Sequence, residues 1–355
     1  MDENGKRKVL VVLPDGRGGA ERQSIRIAGY LPRERFIIVY AIIGATDSRV
    51  SGILPEGADI RRIRLSHIWQ AGSFRLYRLF RKEKPFAVLS SFHYLNGRCI
   101  LAARLAGVPK VIIRGNITVK DGDPVGRLLN RLFYRKASAI ICQTEELRDE
   151  MISRMHVKAE IAHALYNPID TQMLSEAAAK GENPYGPGIH LVCPARICPD
   201  KGQDVLLSSF LLFIRNHSDA HLHLLGDVHD ADGFYESLKD FVSKNSLEAG
   251  VHFEGFQSNP WPWIKNADCL VLASYVEGLP NVLIEAQFLG VPCVATRSVR
   301  SISRIIDDGV NGYVVPMGDA DAIAAAIEKA VTLKNVPFTY KSASPDDFVD
   351  LFETC

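Results

Sequence analysis

The stretch Ser274-Tyr-Val-Glu277-Gly-Leu-Pro-Asn-Val-Leu-Ile-Glu285-Ala decides the fold class that this sequence predicts. The residues just before it, 269–273, are apolar and indicate a buried parallel strand. After the Gly-Leu-Pro turn, residues 282–289 have helical spacing, and a Gly-Val-Pro sequence ends that helix. A buried strand, a short loop and a helix in this order indicate an open α/β fold.

The two carboxylates of this stretch, Glu277 and Glu285, stand eight residues apart. The first follows the strand on a loop, and the second lies one turn into the helix. Open α/β folds bind ligands in the crevice outside the carboxyl ends of their parallel strands. An ionised carboxylate accepts hydrogen bonds from two neighbouring hydroxyls, so the pair predicts a polyhydroxyl ligand at this edge.

Strand-like apolar runs alternate with helical patterns through most of the chain, which is typical of a doubly wound α/β protein. In the first half, strands are predicted at residues 9–13, 36–42, 86–90, 110–113 and 139–142. In the second half, they are predicted at residues 189–193, 221–225, 251–253, 269–273 and 293–295. The sequence therefore predicts two Rossmann-like domains that face each other across a cleft.

The domain boundaries follow from the same pattern. We predict an N-terminal domain over residues 1–170, a linker over 171–188 and a C-terminal domain over 189–335. The second part of the linker is rich in Gly and Pro. Near the end, residues 344–355 predict a helix with a Ser cap.

The composition indicates two full cores, because 47% of the 355 residues are hydrophobic. We expect neither a leader peptide nor a membrane span, since no apolar run approaches the roughly 18 residues that a span needs. The seven cysteines fall mostly on predicted buried strands, which indicates reduced thiols and a cytoplasmic protein. Cys193 and Cys198 lack a second pair or a flanking His, so we predict no metal site there.

The net charge of +1 conceals an asymmetry between the two halves. Residues 1–170 hold 29 Lys and Arg against 17 Asp and Glu, whereas the remainder holds 13 against 24. Within residues 60–136 the ratio is 17 to 3. The first half therefore predicts an anionic partner.

Two cations open the second half of the chain. Arg196 lies just past a predicted strand, and Lys201 with Gly202 lies just before the next helix. Cations beside the free amides of a helix N-terminus suit a diphosphate. The alternative is a pair of solvated surface cations, which the nearby Glu277 and Glu285 make the weaker interpretation.

A glycine-rich loop joins the first strand to the first helix, in the sequence Gly16-Arg-Gly18-Gly19. Glycines there allow close approach to a phosphate or a sugar. The Gly-x-Gly-x-x-Gly spacing of a dinucleotide site is not met, and a tight turn remains an alternative explanation.

The motifs occur together in a recognisable order. They are Gly18-Gly19-Ala-Glu21, Asn167-Pro-Ile-Asp170, Arg196 with Lys201-Gly202, the stretch 277–286, and Asp308-Gly-Val-Asn311-Gly312. In this order the sequence resembles a retaining glycosyltransferase of family 4 (glycosyl transferases group 1) with the GT-B fold. The resemblance covers nearly the whole chain, and it implies that the last helix crosses back onto the N-terminal domain.

The resemblance also implies roles for individual residues. Arg196 and Lys201 would neutralise the diphosphate of a nucleotide sugar, while Glu277 would bind sugar hydroxyls and Glu285 ribose hydroxyls. The reaction would retain the anomeric configuration and would need no metal or other cofactor. The catalytic residues that we predict are Glu277, Arg196, Lys201 and His93. The implied donor-binding residues are Gly18, Gly19, Arg196, Lys201, Phe256, Glu277, Gly278, Leu279, Pro280, Asn281 and Glu285.

His93 follows a predicted strand and is the candidate for the His that family members often place near the reaction centre. Packing or a loop position is the alternative explanation for this residue. Two loops depart from the family pattern, at Gly226-Asp227 and at Ser298-Val-Arg300-Ser301. These departures leave the identity of the donor sugar open.

Aromatic and basic residues mix in two segments of the first half, 69–84 and 127–136. This combination suits an interface with anionic lipid headgroups. The alternative is an amphipathic helix that packs Phe74, Tyr77 and Phe80 into the core. No recognition motif for nucleic acid accompanies the charge, so we predict no nucleic-acid partner.

These observations predict a cytoplasmic enzyme that is peripheral on the inner face of the membrane. It would transfer a hexose or N-acetylhexosamine from a nucleotide sugar, in the first place a UDP-sugar. The acceptor would be a lipid-linked saccharide or a precursor of lipopolysaccharide or exopolysaccharide. Two alternatives are a non-catalytic GT-B subunit that binds a nucleotide sugar, and a GT-B nucleotide-sugar epimerase.

Overall fold

The computed structural model describes residues 5–16, 18–44, 50–64, 72–115, 124–229 and 233–354. The chain divides into two compact units. The first unit comprises Met1–Pro168 and Lys341–Cys355, and the second comprises Ile169–Tyr340. Each unit is an α/β structure with its own parallel sheet.

The first unit contains a seven-stranded sheet in the order β3-β2-β1-β4-β5-β6-β7, and all of its strands are parallel. The strands are β1 (Arg7–Pro14), β2 (Phe36–Gly44), β3 (Asp59–Arg64), β4 (Ala87–Ser90), β5 (Lys110–Gly115), β6 (Ala139–Cys142) and β7 (Ala162–Ala164). The helices are α1 (Gly19–Gly29), α2 (Gly72–Glu83), α3 (His93–Ala106), α4 (Pro124–Phe133), α5 (Glu145–Met155) and the late α12 (Pro345–Glu353).

The core of the first unit lies on both faces of its sheet, because alternate residues of a strand point to opposite sides. Leu10 and Val12 join one apolar cluster, while Val9 and Val11 join the other. Helix α12 completes the second cluster with four buried apolar residues, Phe348, Val349, Leu351 and Phe352. Its start is a capping box between Ser344 and Asp347.

The second unit contains a six-stranded sheet in the order β10-β9-β8-β11-β12-β13, again all parallel. The strands are β8 (Ile189–Pro194), β9 (Ala220–Leu225), β10 (Val251–Gly255), β11 (Cys269–Leu272), β12 (Cys293–Thr296) and β13 (Gly312–Val315). The helices are α6 (Thr171–Ala179), α7 (Gln203–Phe213), α8 (Phe234–Lys244), α9 (Trp261–Lys265), α10 (Asn281–Phe288) and α11 (Ala320–Ala330). The prediction of two Rossmann-like, doubly wound domains is confirmed.

Three strands, β3, β7 and β13, were not predicted from the sequence. Strand β3 has the sequence Asp-Ile-Arg-Arg-Ile-Arg and lies at a sheet edge, where only one side of the strand is paired. Strands β7 and β13 are short and also form edges. Edge strands carry little of the continuous apolar character that marks a central parallel strand.

The predicted linker over 171–188 needs a correction, because its first half is helix α6. Asp170 caps this helix, since its Oδ1 accepts a hydrogen bond of 2.9 Å from the amide of Met173. Leu174 and Ala178 stand four residues apart and are both buried, so the helix packs on the second unit. The Gly and Pro content that suggested a linker belongs to the irregular residues that follow.

Candidate active site

The strand-to-helix turns of the second unit bring Lys201 close to the loop after β11. Gly202 ends the 3₁₀ turn Pro199–Lys201 with φ of +61° and precedes helix α7. A Cβ atom on Gly202 would lie 2.2 Å from the carbonyl oxygen of Ala273. Only a glycine therefore lets helix α7 begin this close to the end of β11.

Lys201 and Glu277 form an ion pair, with Nζ 2.6 Å from Oε1. Their side chains are 15% and 11% exposed, so most of the pair is out of water. The hydroxyl of the buried Ser274 donates a second hydrogen bond of 2.7 Å to the same Oε1. Ser274 is held in turn, because Thr296 Oγ1 donates to its carbonyl oxygen over 2.5 Å. Two donors thus fix one oxygen of Glu277.

Arg196 follows β8 and has an exposed side chain. Its backbone is fixed, because Gln203 Nε2 donates to the Arg196 carbonyl oxygen over 2.8 Å and the next residue, Ile197, forms an isolated bridge with Val228. The guanidinium is therefore presented on the surface from a fixed backbone. The structure brings Lys201 and Glu277 into contact, while Arg196 contributes its carbonyl group to this turn.

Glu285 lies in the second turn of helix α10, as its spacing predicts. Its Oε2 accepts a hydrogen bond of 3.0 Å from the indole Nε1 of Trp261. Trp261 begins helix α9 and is only 6% exposed. The sequence analysis missed this contact; the sequence Trp261-Pro-Trp263 was the available signal.

The loop between the two carboxylates is held from the segment that departs from the family pattern. Ser301 Oγ donates a hydrogen bond of 3.1 Å to the carbonyl oxygen of Gly278. Leu279 and Pro280 are buried, and Asn281 is the first residue of helix α10. The departure at 298–301 therefore supplies a contact to the loop that bears Glu277.

Phe256 lies directly after β10 and is half-buried. The neighbouring loop is tied to the end of this strand, because the amide of Gly226 donates to the carbonyl oxygen of Gly255 over 2.8 Å. Gly226 has a φ of +157°, and a Cβ atom at this position would lie 2.1 Å from the carbonyl oxygen of Ala195. The loops after β8, β9 and β10 are thus packed closely together.

In the first unit, the glycine-rich loop folds around the carboxylate of Glu21. A Cβ atom on Gly16 would lie 2.0 Å from Glu21 Oε1, and one on Gly18 would lie 3.1 Å from Oε2. Gly18 precedes helix α1, and Gly19 is its first residue. Gly16 and Gly18 thus lie against the end of the buried Glu21 side chain, which agrees with the tight turn considered from the sequence.

His93 is the first residue of helix α3, and its side chain is half-buried. Its carbonyl oxygen accepts a hydrogen bond of 2.8 Å from Asn130 Nδ2. Its ring meets that of Tyr94 edge to face, with the centroids 5.4 Å apart. These contacts explain the position of His93 by packing, and its catalytic role stays a prediction.

A buried polar cluster lies at the carboxyl ends of β4, β5 and β6, and the sequence analysis missed it. Arg114 is 2% exposed, and its Nη2 donates to Gln143 Oε1 over 3.0 Å and to Asn167 Oδ1 over 2.6 Å. Asn96 accepts from Ser90 Oγ over 2.8 Å and donates to the carbonyl oxygen of Arg114 over 3.1 Å. The Asn167-Pro-Ile-Asp motif was the available signal.

Four histidines of the second unit lie on one face of β8, β9 and β10: His190, His221, His223 and His252. His190 Nδ1 lies 3.1 Å from His223 Nε2, and His223 Nδ1 lies 2.9 Å from Glu254 Oε1. Burial lowers the pKa of His190 and of His252, and it lowers the pKa of His223 to about 4. Within the described residues, no group of three or more His, Cys, Asp or Glu side chains could hold a metal ion.

Two family models match this chain. Residues 17–173 match the model described as "Glycosyltransferase Family 4", and residues 188–332 match "Glycosyl transferases group 1". Together the two matches span most of the sequence.

Curated relatives show 24–29% identity. An uncharacterized glycosyltransferase of Methanocaldococcus jannaschii is 29% identical over 63% of this chain. The lipopolysaccharide core biosynthesis glycosyltransferase LpsE of Rhizobium meliloti is 28% identical over 56% of the chain. The chain spans 58% and 55% of the length of these two relatives. The capsular polysaccharide biosynthesis glycosyltransferase CapM of Staphylococcus aureus is 28% identical over 80% of this chain and 76% of its own length.

Solved structures share the fold over almost the whole length. Anabaena HepE in complex with UDP and glucose superposes with a TM-score of 0.77 at 18% identity, covering 97% of both chains. TarM of S. aureus in a complex that includes UDP superposes with a TM-score of 0.76 at 10% identity, covering 98% of this chain and 100% of its own. These likenesses confirm the predicted GT-B fold.

Proposed function

From the membership of this chain in glycosyltransferase family 4, which the two family models establish, we propose that it is a retaining glycosyltransferase. It transfers a hexose or N-acetylhexosamine from a nucleotide sugar, in the first place a UDP-sugar. The acceptor is a lipid-linked saccharide or a precursor of a cell-surface polysaccharide. Relatives named for lipopolysaccharide and capsule synthesis support this acceptor class, and the UDP complex of HepE supports the donor class.

One observation carries the proposal: a cation and a carboxylate meet at the carboxyl end of a parallel sheet, where a nucleotide sugar needs both. Lys201 and the exposed Arg196 neutralise the charge that grows on the leaving diphosphate. Such cations stabilise the transition state more than the ground state. Glu277 has one oxygen fixed by Lys201 and Ser274, and it accepts hydrogen bonds from the hydroxyls of the donor sugar.

The bond between the anomeric carbon and the diphosphate oxygen breaks, and its electron pair stays with the diphosphate. The acceptor hydroxyl oxygen bonds to the anomeric carbon on the same face. Its proton passes to an oxygen of the donor phosphate. Glu285 binds the ribose and Phe256 covers the base. For Gly18, Gly19 and His93 of the first unit, the proposal keeps the roles that the resemblance implies.

The proposed reaction needs no divalent cation, because Lys201 and Arg196 supply the positive charge for the diphosphate. Turnover by the protein should therefore survive treatment with EDTA. An enzyme that loses its activity in EDTA and recovers it in Mg²⁺ or Mn²⁺ contradicts this part of the proposal.

Binding to a panel of UDP-, GDP- and ADP-sugars tests the function directly, measured as a shift in thermal unfolding. A ligand at 100 times its Kd stabilises a protein by roughly 2.7 kcal/mol, so one nucleotide class should stand out. Donor hydrolysis without acceptor then supports a transferase, epimer formation supports an epimerase, and binding without either supports a non-catalytic subunit. A panel in which no nucleotide sugar raises the unfolding temperature rejects the proposal.

We further propose that an anionic membrane surface is the partner of helices α2 and α4. On α2, Phe74 is 59% exposed, and the nearby Arg75, Arg78, Arg81 and Lys82 are exposed as well. The core-packing alternative holds for Phe80, which is buried, and in part for Tyr77, but it fails for Phe74. Residues 69–71, which begin the predicted segment 69–84, lie outside the described residues.

Helix α4 and the residues just after it also combine exposed apolar and basic side chains. Leu128 is 56% exposed, and the exposed cations Arg131, Arg135 and Lys136 follow it. Each Lys or Arg near an anionic surface contributes about 1 kcal/mol, and exposed apolar side chains add area that lipid can cover. In the described part of the chain no helix is long and apolar enough to cross a bilayer. From the exposed cations and apolar side chains of α2 and α4 we propose peripheral attachment to the inner face of the membrane.

Sedimentation with vesicles rich in anionic lipid tests this attachment. A variant with Arg75, Arg78, Arg81 and Lys82 changed to Ser should stay in the supernatant at physiological salt. The matched control changes four exposed cations elsewhere, Arg154, Lys158, Lys180 and Lys341, and should still sediment. If the parent ignores the vesicles, or if both variants sediment equally, the basic face is only a solvated surface.

A further inference from the structure

We propose that Trp261 is a positioning residue, which orients Glu285 for the ribose of the nucleotide. This inference rests on the proposed function, because it assumes that Glu285 meets the ribose hydroxyls. Trp261 lies outside the motifs that carry the family resemblance.

The contact is directional. The indole has a single N–H donor, so its one hydrogen bond of 3.0 Å to Glu285 Oε2 sets where that oxygen lies. A free Glu side chain has several rotatable bonds, and ordering it on ligand binding costs conformational entropy. An oxygen that is already held in place lowers that cost before the nucleotide arrives.

The short helix α9, which carries the indole, is itself held by neighbouring segments. The carbonyl oxygen of Trp263 accepts a hydrogen bond of 2.7 Å from the hydroxyl of Tyr185. Asn259 Nδ2, just before the helix, donates to the carbonyl oxygen of Ala177 over 2.8 Å. A Cβ atom on Gly181 would lie 2.5 Å from Cγ of Pro262, so the chain passes closely over the helix there. The segment predicted as a linker therefore backs helix α9.

The indole donor to Glu285 is neutral, and this suits the task. A carboxylate can accept about four hydrogen bonds, and the indole N–H occupies one of these positions. The indole brings no positive charge, and the hydrogen bonds from the ribose to Glu285 are then charge-assisted. Trp261 thus orients the carboxylate without neutralising it.

Trp261→Phe tests the inference, because it removes the N–H and keeps an aromatic ring. The measurement is the affinity for UDP and for 2′-deoxy-UDP by calorimetry. The parent should prefer UDP by about tenfold. In Trp261→Phe the ratio of the affinity for UDP to that for 2′-deoxy-UDP should fall towards one, as it should in Glu285→Gln. The double variant should show nearly the same ratio as either single variant. Trp263→Phe, on the same helix, should keep the parental preference.

A merely structural Trp261 would weaken both nucleotides equally and leave their ratio unchanged, which would overturn the inference while leaving the proposed function intact. A parent that binds UDP without preference over 2′-deoxy-UDP also overturns it. A parent that binds no nucleotide overturns the proposed function itself. If Trp261→Phe does not fold, the indole ¹⁵N–H resonance of Trp261 replaces the affinity ratio. That resonance should move in Glu285→Gln and on UDP addition, and a resonance that ignores both rejects the contact.

Discussion

The two sheets of this chain share a strand order, yet their carboxyl ends carry different chemistry. In the second unit, the Lys201–Glu277 ion pair lies on loops, and Arg196 is exposed on the loop after β8. In the first unit, Asn96 and Arg114 lie in the interior and bond to neutral oxygens of their neighbours.

The difference separates two uses of polar groups. Charges on loops can exchange partners with a ligand, whereas buried hydrogen-bonding groups must keep theirs, because an unsatisfied buried group is costly. Substitutions at the edge of the second sheet should therefore change ligand binding most. Substitutions in the buried cluster of the first unit should change stability most.

The largest effect on the reaction is expected for the diphosphate cations. Arg196→Ala and Lys201→Ala should each raise the free energy of the transition state by on the order of 2–4 kcal/mol, which is measured as a fall in kcat/KM. Each variant removes a charge-assisted contact to the diphosphate. Arg196→Ala should keep the parental stability, since its side chain is exposed. Lys201→Ala should also destabilise the second unit, since it leaves Glu277 without its cation. Both variants binding UDP as tightly as the parent would refute the assignment.

Asn96→Ala probes the buried polar cluster of the first unit. It removes the partner of Ser90 and of the Arg114 carbonyl group inside the first unit. We expect a loss of about 2–3 kcal/mol in the free energy of unfolding, because buried polar groups lose their hydrogen bonds. Hydrogen exchange of the β4 and β5 amides locates the effect. The control is Asn216→Ala, an exposed Asn of the second unit, which should be neutral. Unchanged protection of β4 and β5 would contradict this account.

Acid should destabilise the second unit through those histidines of the cluster whose pKa is lowered by burial. The pKa of His223 in the folded chain is lowered to about 4 by burial, while the unfolded value is near 6.5. The unfolded state therefore binds more protons between these values, and stability falls as the pH drops from about 6.5 to 4. Asp219 and Asp268 raise the pKa of His190, and Glu254 raises the pKa of His223. These acidic groups offset only part of the lowering that burial causes.

We expect a loss of about 1–2 kcal/mol, because one pKa unit corresponds to about 1.4 kcal/mol and the edge of the cluster is partly solvated. Trp261 and Trp263 lie in the second unit, so urea unfolding of a Trp69→Phe variant, followed by Trp fluorescence, reports on it. Changing His223 and His252 to Gln should flatten the pH dependence, while His217→Gln should not. Equal pH slopes in all three proteins would exclude the cluster as the cause.

The smallest effect is expected for Phe74→Ala on helix α2. This ring is mostly exposed, so the free energy of unfolding should change by no more than about 0.5 kcal/mol. Vesicle binding should weaken nonetheless. Phe80→Ala, two turns along the same helix, removes a buried ring and should cost about 3–5 kcal/mol of stability. A destabilised Phe74→Ala would mean that its ring supports the fold.

The sequence predicted the fold class and the position of Glu277 and Glu285 because both follow from apolar periodicity and local turns. Trp261 was missed, since its partner Glu285 is 24 residues away. Asn96 was missed because two of its partners, Arg114 and Tyr134, are 18 and 38 residues away, and only packing brings them together. Strand β3 was missed because an edge strand does not need an apolar pattern on both faces. Helix α6 was hidden by the Gly and Pro residues that follow it.

Helix α12 has a consequence for the synthesis of the chain. Its residues Phe348 and Phe352 are fully buried in the core of the first unit, in the same apolar cluster as residues of β1 and β2. The second unit, Ile169–Tyr340, is translated in between. A ribosome adds about 5–20 residues per second, so this core waits on the order of ten to thirty seconds for its last helix. During that interval the apolar residues that α12 covers lack that helix, and a chaperone that binds them would protect the chain until α12 emerges.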